Sequence, residues 1–228
     1  MICLGPFEGS LLFHMAPNIS KYASRIIALA MYSFNVGSST VGKKWVSLST
    51  QCVGAGEGGT VSMLARVSLV DYRGKTIVDT YVKPTMPVVS YRTPYTGIEA
   101  HHLENGVPFN HALALVTSSV DGKIVVGHSL WQDFYALGIA HPASDTRDNA
   151  LFLPFRAALS TMNSVVGLET LMYRLMRRLI STEHVNSLEN ARACMDLFRS
   201  AQDEWERIID SGEWPCALPP ALYARCYS

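Results

Sequence analysis

The residues that bear on chemistry stand at the end of the first apolar stretch, Trp45-Val46-Ser47-Leu48-Ser49-Thr50-Gln51-Cys52-Val53-Gly54. That pattern predicts a short buried strand running into a glycine turn. A first strand of this kind sits mid-sheet in an α/β domain, and its C-terminal end is where such folds place ligands. Here the end carries Ser49, Thr50 and Gln51, which are polar but neutral. A working site, an altered one and a dead one are all open on that basis. The other chemical candidates are weaker. Cys3, Cys52, Cys194, Cys216 and Cys226 show no C-x-x-C spacing, so reduced thiols are expected rather than a zinc module. His101-His102 are adjacent and do not converge on one metal from a helix or a strand. Arg174, Arg177 and Arg178 can meet a phosphate backbone, and Tyr91, Arg92 and Tyr95 can stack a base, although solvated arginines and a packed connection are the commoner outcomes.

The elements that must position these residues follow from periodicity. Trp45–Gln51 is the first strand, Glu57-Gly58-Gly59 a turn, Met63–Tyr72 a second strand and Thr76–Val82 a third, an antiparallel meander. Lys83-Pro84 ends it, because proline cannot donate to a ladder. Val88–Pro94 is extended. Phe109–Val120 is a helix, with Phe109, Ala112, Leu113, Val116 and Val120 at helical spacing. Lys123–Gly127 is apolar throughout, a strand of the buried parallel kind, and Trp131–Leu137 is a helix directly after it. Val165–Ile180 and Ser187–Ile209 are helices, the second with Leu188, Ala191, Met195, Phe198, Ala201, Trp205 and Ile208 in one stripe. Its polar side alternates Arg192, Asp196, Arg199, Asp203 and Arg207.

Hydrophobic residues at 48% and charged residues at 17% predict a globular chain with a sizeable core. The formal net charge is zero, so bulk charge does not argue for a nucleic-acid partner. No run approaches the roughly 18 apolar residues of a membrane helix. The expected organisation is an N-terminal extension over 1–43, a domain over 44–209 and an irregular tail over 210–228. The extension carries Lys21, Arg25, serines and one acid, Glu8, which leaves a mitochondrial transit peptide as a weak alternative to an unstructured segment; Met15 is an alternative initiator.

Ser62-Met63-Leu64-Ala65-Arg66-Val67-Ser68-Leu69-Val70, Tyr81-Val82-Lys83-Pro84-Thr85, Tyr91-Arg92-Thr93 and Thr96-Gly97-Ile98 together resemble one family, the DEDDh 3′–5′ exonucleases, with the eukaryotic RNA exonuclease 4 branch nearest. Val126-Gly127-His128-Ser129-Leu130-Trp131-Gln132-Asp133 is similar to its second motif, and Ala191-Arg192 sits where the third ends. The resemblance implies a ribonuclease H-like α/β fold: a mixed five-stranded sheet, three strands in an antiparallel meander plus parallel strands, flanked by helices on both faces. It also implies Mg2+ or Mn2+ as a pair held by four carboxylates, a single-stranded RNA 3′ end as partner, a monomer, and a nuclear or nucleolar setting.

Carried over residue by residue, the pattern departs. Ser49 and Gln51 stand at the Asp and Glu positions of the first strand, where a spacing of two puts both on one face. Asp133 is retained. Asn190 stands at the third-motif Asp, and Val185 at the general-base histidine, with His184 one place off as a candidate displaced base. Cys52, Val53, Gly54 and His128 are the implied substrate-binding residues, Cys52 standing where a methionine lines the 3′-terminal pocket. At about 100° per residue, Asn190 falls at the edge of the apolar stripe and Glu189 points away from it. The expectation is therefore a degenerate exonuclease that binds RNA or a protein partner and does not hold two metals. An active enzyme rearranged around Asp133, and a scaffold with no nucleic-acid role, are the alternatives.

Overall fold

The structure is a computed structural model and describes residues 44–227. The expectations for residues 1–43 lie outside the described residues. Strand β1 (Trp45–Ala55) buries side chains of both parities, as does β2 (Val61–Asp71), so both faces of the sheet are covered. β2 runs antiparallel to β1 from Val46↔Asp71 to Ala55↔Val61, and β3 (Thr76–Tyr81) runs antiparallel to β2. A 3-10 turn at Glu57–Gly59 joins β1 to β2. Gly54 is required there, since a Cβ would stand 2.5 Å from the Gly59 carbonyl oxygen. Strand β5 (Ile124–Gly127) is buried throughout and pairs parallel with β1 at Ser47↔Val126; β6 (Thr146–Asp148) pairs parallel with β5.

The sheet order is β3-β2-β1-β5-β6, which places β1 at the centre. A sixth strand, β4 (Val88–Ser90), pairs with the end of β1 at Gly54↔Ser90. The five-strand expectation missed it because three residues carry too little alternation to read. Pro94 is likewise not extended: it lies in the first turn of α1 (Thr93–Thr96), where proline's missing N–H costs nothing.

The helices that follow are α2 (Ala100–Glu104), α3 (Phe109–Val120), α4 (Leu130–Leu137), α5 (Leu153–Ala158), α6 (Leu168–Met176) and α7 (Ser187–Asp210). Helix α6 is shorter than the expected Val165–Ile180 because Arg177 adopts a left-handed conformation, φ 55°, and stops it. Helix α7 buries Ala191, Cys194, Met195, Phe198, Trp205 and Ile209, so the stripe is rotated from Leu188 and Ile208, which are half-buried. Trp205 stacks on Phe152 at 3.9 Å between ring centroids.

The segment after α7 is a wall of the domain. Leu153 N–H donates to the Pro215 carbonyl, Ala217 N–H to Leu151, and His141 N–H to Cys226. A 3-10 helix over Ala221–Cys226 ends with Tyr227 edge-on to Phe134. No helix among the described residues is long and apolar enough to cross a membrane.

Candidate functional site

A cleft of about 590 Å³ opens at the C-terminal end of β1. It is where the strand, the N-terminal parts of α4 and α7, and the α1 segment meet. A register shift between Gln51 and Cys52 leaves Ala65 of β2 as the extra residue beside it. Bulges of this kind increase local twist and re-aim side chains. The cleft gathers Ser49, Gln51, Cys52, His128, Asp133, Val185 and Asn190. Ser49, Gln51 and Cys52 come from β1, and the other four from segments remote from it in sequence.

Asp133 is 7% exposed. Its Oδ1 accepts from the Thr50 N–H at 2.9 Å and from the Thr50 hydroxyl at 2.6 Å. Burial pushes its carboxyl up to about 7, the Thr50 bonds oppose that rise, and the charge of Asp148 adds to it. Asp148 itself is not a cleft ligand. It accepts from the backbone N–H groups of Ser129, Leu130 and Ala150 and so anchors the start of α4. Burial raises it to about 6 despite those three bonds.

Gln51 is 4% exposed, and its amide is committed to main chain on three sides. Nε2 donates to the Thr96 carbonyl at 2.9 Å and the Val185 carbonyl at 2.7 Å, while Oε1 accepts from Ser187 N–H at 3.1 Å. Two acceptors and one donor around the group fix which end is nitrogen. Ser49 pairs across the strands with Ser68, whose hydroxyl donates to Asp79 at 2.8 Å and lies 2.7 Å from the Ser187 hydroxyl. Asn190 Oδ1 and His128 Nδ1 are buried without a hydrogen-bond partner. Burial lowers His128 to about 4, so its ring is neutral at ordinary pH. Burial also raises the Cys52 thiol to about 11, which removes it as a nucleophile.

Two implied substrate-binding residues lie elsewhere. Val53 is fully buried in a small core with Ala55, Met63, Ala65, Ile98 and Leu103, and Gly54 is packed under the β1–β2 turn. His184 also faces away from the cleft. It lines a neighbouring depression with Glu189, its ring lies against Gly97, and its Nδ1 is 3.4 Å from the Pro94 carbonyl oxygen. Glu189 accepts from Ser181 N–H at 3.0 Å, so it is anchored on the loop and not free in solvent. The register reading of α7 thus places Asn190 in the cleft and Glu189 outside it.

The cleft also holds residues whose roles the sequence does not show. Thr50 holds Asp133, and Thr96 supplies a carbonyl to Gln51. Glu169 at the start of α6, and Leu222 and Tyr223 from the C-terminal 3-10 helix, form part of the wall. Thr50 has the opposite parity on β1 from Ser49 and Gln51, so alternation does not point to it, and nothing in a proline-rich tail signals Leu222. Arg92 and Tyr95 line the cleft as well, with the Arg92 guanidinium donating to the Gly59 carbonyl at 3.1 Å. Arg178, by contrast, pairs with Asp196 of α7 at 2.5 Å. His101 and His102 lie on α2, His102 accepting from the Glu99 N–H at 3.0 Å. The four described cysteines are free.

No protein-family model matches the chain. It is 37% identical over 183 residues to the human apoptosis-enhancing nuclease, covering 78% of this chain and 56% of that protein. It is 38% identical over 175 residues to the human interferon-stimulated 20 kDa exonuclease-like 2, covering 75% and 50%. With RNA exonuclease 4 of Saccharomyces cerevisiae it shares 36% over 165 residues, covering 72% and 57%. The chain spans about half the length of the curated relatives it matches. Among solved structures it superposes on the Saccharomyces cerevisiae Pan2 pseudoubiquitin hydrolase–RNA exonuclease module in complex with AAGGAA RNA. The TM-score is 0.63 at 23% identity, over 75% of this chain and 31% of that one. The Neurospora crassa Pan2 catalytic unit gives 0.61 at 22%, over 74% and 28%. These two show the shared ribonuclease H-like fold.

Proposed function

The chain belongs to the exonuclease family of these relatives, and from that premise we propose that it is a 3′–5′ RNA-exonuclease-type domain that binds without cutting. The observation that carries this reading is the donor set at the end of β1. A pair of divalent cations needs hard, charged oxygens, because two dications a few ångströms apart repel strongly. The DEDDh pattern supplies four carboxylates. Here the corresponding positions hold a serine hydroxyl, two amides and Asp133. Both N–H groups of the Gln51 amide face carbonyl oxygens, and one oxygen of Asp133 already accepts two bonds. The described residues contain no group of three His, Cys, Asp or Glu side chains able to hold a metal. Ser49, Gln51, Asn190 and Asp133 do not fit a two-cation pair.

What the cleft keeps is capacity to bind. Arg92 offers a positive charge and Tyr95 an exposed ring on its wall, groups suited to phosphate and base. The unpartnered Asn190 Oδ1 adds a hydrogen-bond acceptor behind that surface, and His128 Nδ1 a donor or an acceptor according to its tautomer. The proposed ligand is the 3′ end of a single-stranded RNA, and the proposed setting is the nucleus or nucleolus.

The test is a short 5′-labelled single-stranded RNA incubated with the full chain in Mg2+ or Mn2+, beside Asp133→Ala. The expected result is intact RNA and binding that weakens with salt. Processive loss of 3′ nucleotides that vanishes in Asp133→Ala overturns the reading. Absence of both cleavage and binding leaves a scaffold with no nucleic-acid role. Cleavage gained only by Ser49→Asp, Gln51→Glu and Asn190→Asp together shows that the rest of the groove survives.

A further inference from the structure

We propose that Gln51 is a positioning residue: its side-chain amide clamps the three walls of the cleft together, so that the cleft is assembled without divalent metal. The inference deepens the binding reading and rests on it only for the identity of the ligand.

The geometry is a neutral cross-link at the position where the resemblance puts a metal carboxylate. From β1, Gln51 Nε2 reaches one carbonyl on the α1 segment, Thr96, and one on the loop before α7, Val185. Its Oε1 takes the N–H of Ser187, the first residue of α7. These partners come from two pieces of chain remote from β1, one 45 residues away and the other, holding both Val185 and Ser187, 134 to 136 residues away. Each attachment is reinforced. The Thr96 hydroxyl donates to the Tyr91 carbonyl and accepts from Ile98 N–H, which fixes the α1 turn beside Arg92 and Tyr95. Val185 N–H donates to the Tyr95 carbonyl, tying the two clamped segments to each other. On the other side, Ser187 meets Ser68, Ser68 donates to Asp79, and Asp79 pairs with Arg66 at 2.9 Å. Since the Ser68 proton is given to Asp79, the Ser187 hydroxyl is the donor between the serines.

A glutamate could not take this place. It would aim a carboxylate at two carbonyl oxygens 2.7 and 2.9 Å from the present nitrogen, where both N–H donors would be lost. A neutral amide forms the cross-link by itself, whereas a carboxylate needs a cation between it and those oxygens. The substitution at residue 51 therefore removes a ligand and installs a fastener in one step.

The test uses the full chain, with Gln51→Glu and Gln51→Ala as variants. Thermal unfolding of the unaltered chain is expected to match in EDTA, Mg2+ and Mn2+; a rise with either metal would overturn the clamp. Both variants should unfold at lower temperature at pH 7.5 and exchange amide hydrogens faster at residues 95–97 and 183–188 than elsewhere. The deficit of Gln51→Glu relative to the unaltered chain should shrink at pH 4.5, where a protonated carboxyl regains a donor, while that of Gln51→Ala stays. Gln51→Glu as stable as the unaltered chain at pH 7.5, or exchange raised uniformly, sinks the proposal. Binding of labelled single-stranded RNA should be equal in EDTA and Mg2+ and several-fold weaker in Gln51→Ala. If the unaltered chain binds no RNA at all, the functional reading fails while the melting and exchange arms still judge the clamp.

Discussion

Asp133 is an acid held where an amide would cost less. Thr50 supplies its two hydrogen bonds, both to one oxygen, and burial outweighs them in setting its titration. The carboxyl is raised from 3.8 to about 7, so between those values the folded chain holds a proton that the unfolded chain has released. Stability from this group is complete below about pH 4 and is lost as pH rises through 7. An asparagine at this position would keep an oxygen for both Thr50 bonds and carry no charge. Asp133→Asn should therefore be more stable than the unaltered chain by roughly 2–4 kcal/mol at pH 8, since each tenfold change in proton affinity is worth about 1.4 kcal/mol. The gain should vanish near pH 4, as read by urea melts at both values. A constant difference across that range would show that the carboxyl does not titrate as its burial implies.

At the scale of the element, the same chemical change has the opposite sign. Asp148 sits at the end of β6 and receives the N–H groups of Ser129 and Leu130, which open α4, and of Ala150. Both of its oxygens are used, Oδ1 twice and Oδ2 once. An amide there must turn its NH2 toward one of those donors. Asp148→Asn should cost roughly 1–3 kcal/mol, the penalty of an unmet buried hydrogen bond, although it too removes a buried charge. Loss of stability in Asp148→Asn beside a gain in Asp133→Asn, measured in the same buffer at pH 8, would separate anchoring from desolvation. The anchor matters to the cleft because α4 carries Asp133.

For the whole molecule, the C-terminal segment counts as core. Cys216, Cys226 and Tyr227 are buried, Phe152 bridges to Cys216, and His141 to Tyr227. Ending the chain after Trp214 would uncover Phe134, Phe152 and their neighbours and would remove Leu222 and Tyr223 from the cleft wall. With roughly 1.5–3 kcal/mol for each large apolar side chain returned to water, the truncated chain should melt about 10 °C or more lower. Unchanged melting, read by circular dichroism, would return this segment to the status of an appendage.

The central strand, the meander, the buried parallel strand and α7 are legible in the sequence because each has a period and enough residues to display it. The family resemblance likewise follows from ordered motifs, and with it the identity of the residues at the ligand positions. Three-residue β4 and the docked tail are not legible, since a strand so short has no pattern and a tail has no core until it meets one. The resemblance implies that Val53 and Gly54 are cleft residues, but alternation carries Val53 into a separate core and Gly54 packs under the β1–β2 turn. Spacing suggests that His184 is a displaced base, but the loop that Gln51 fastens turns it away. Residue identity along the chain determines which charges are present. Only the packing of β1 against α1, α4 and α7 decides that Gln51 faces three main-chain groups and Asp133 faces Thr50, because those partners are contributed by segments that meet only in the folded state.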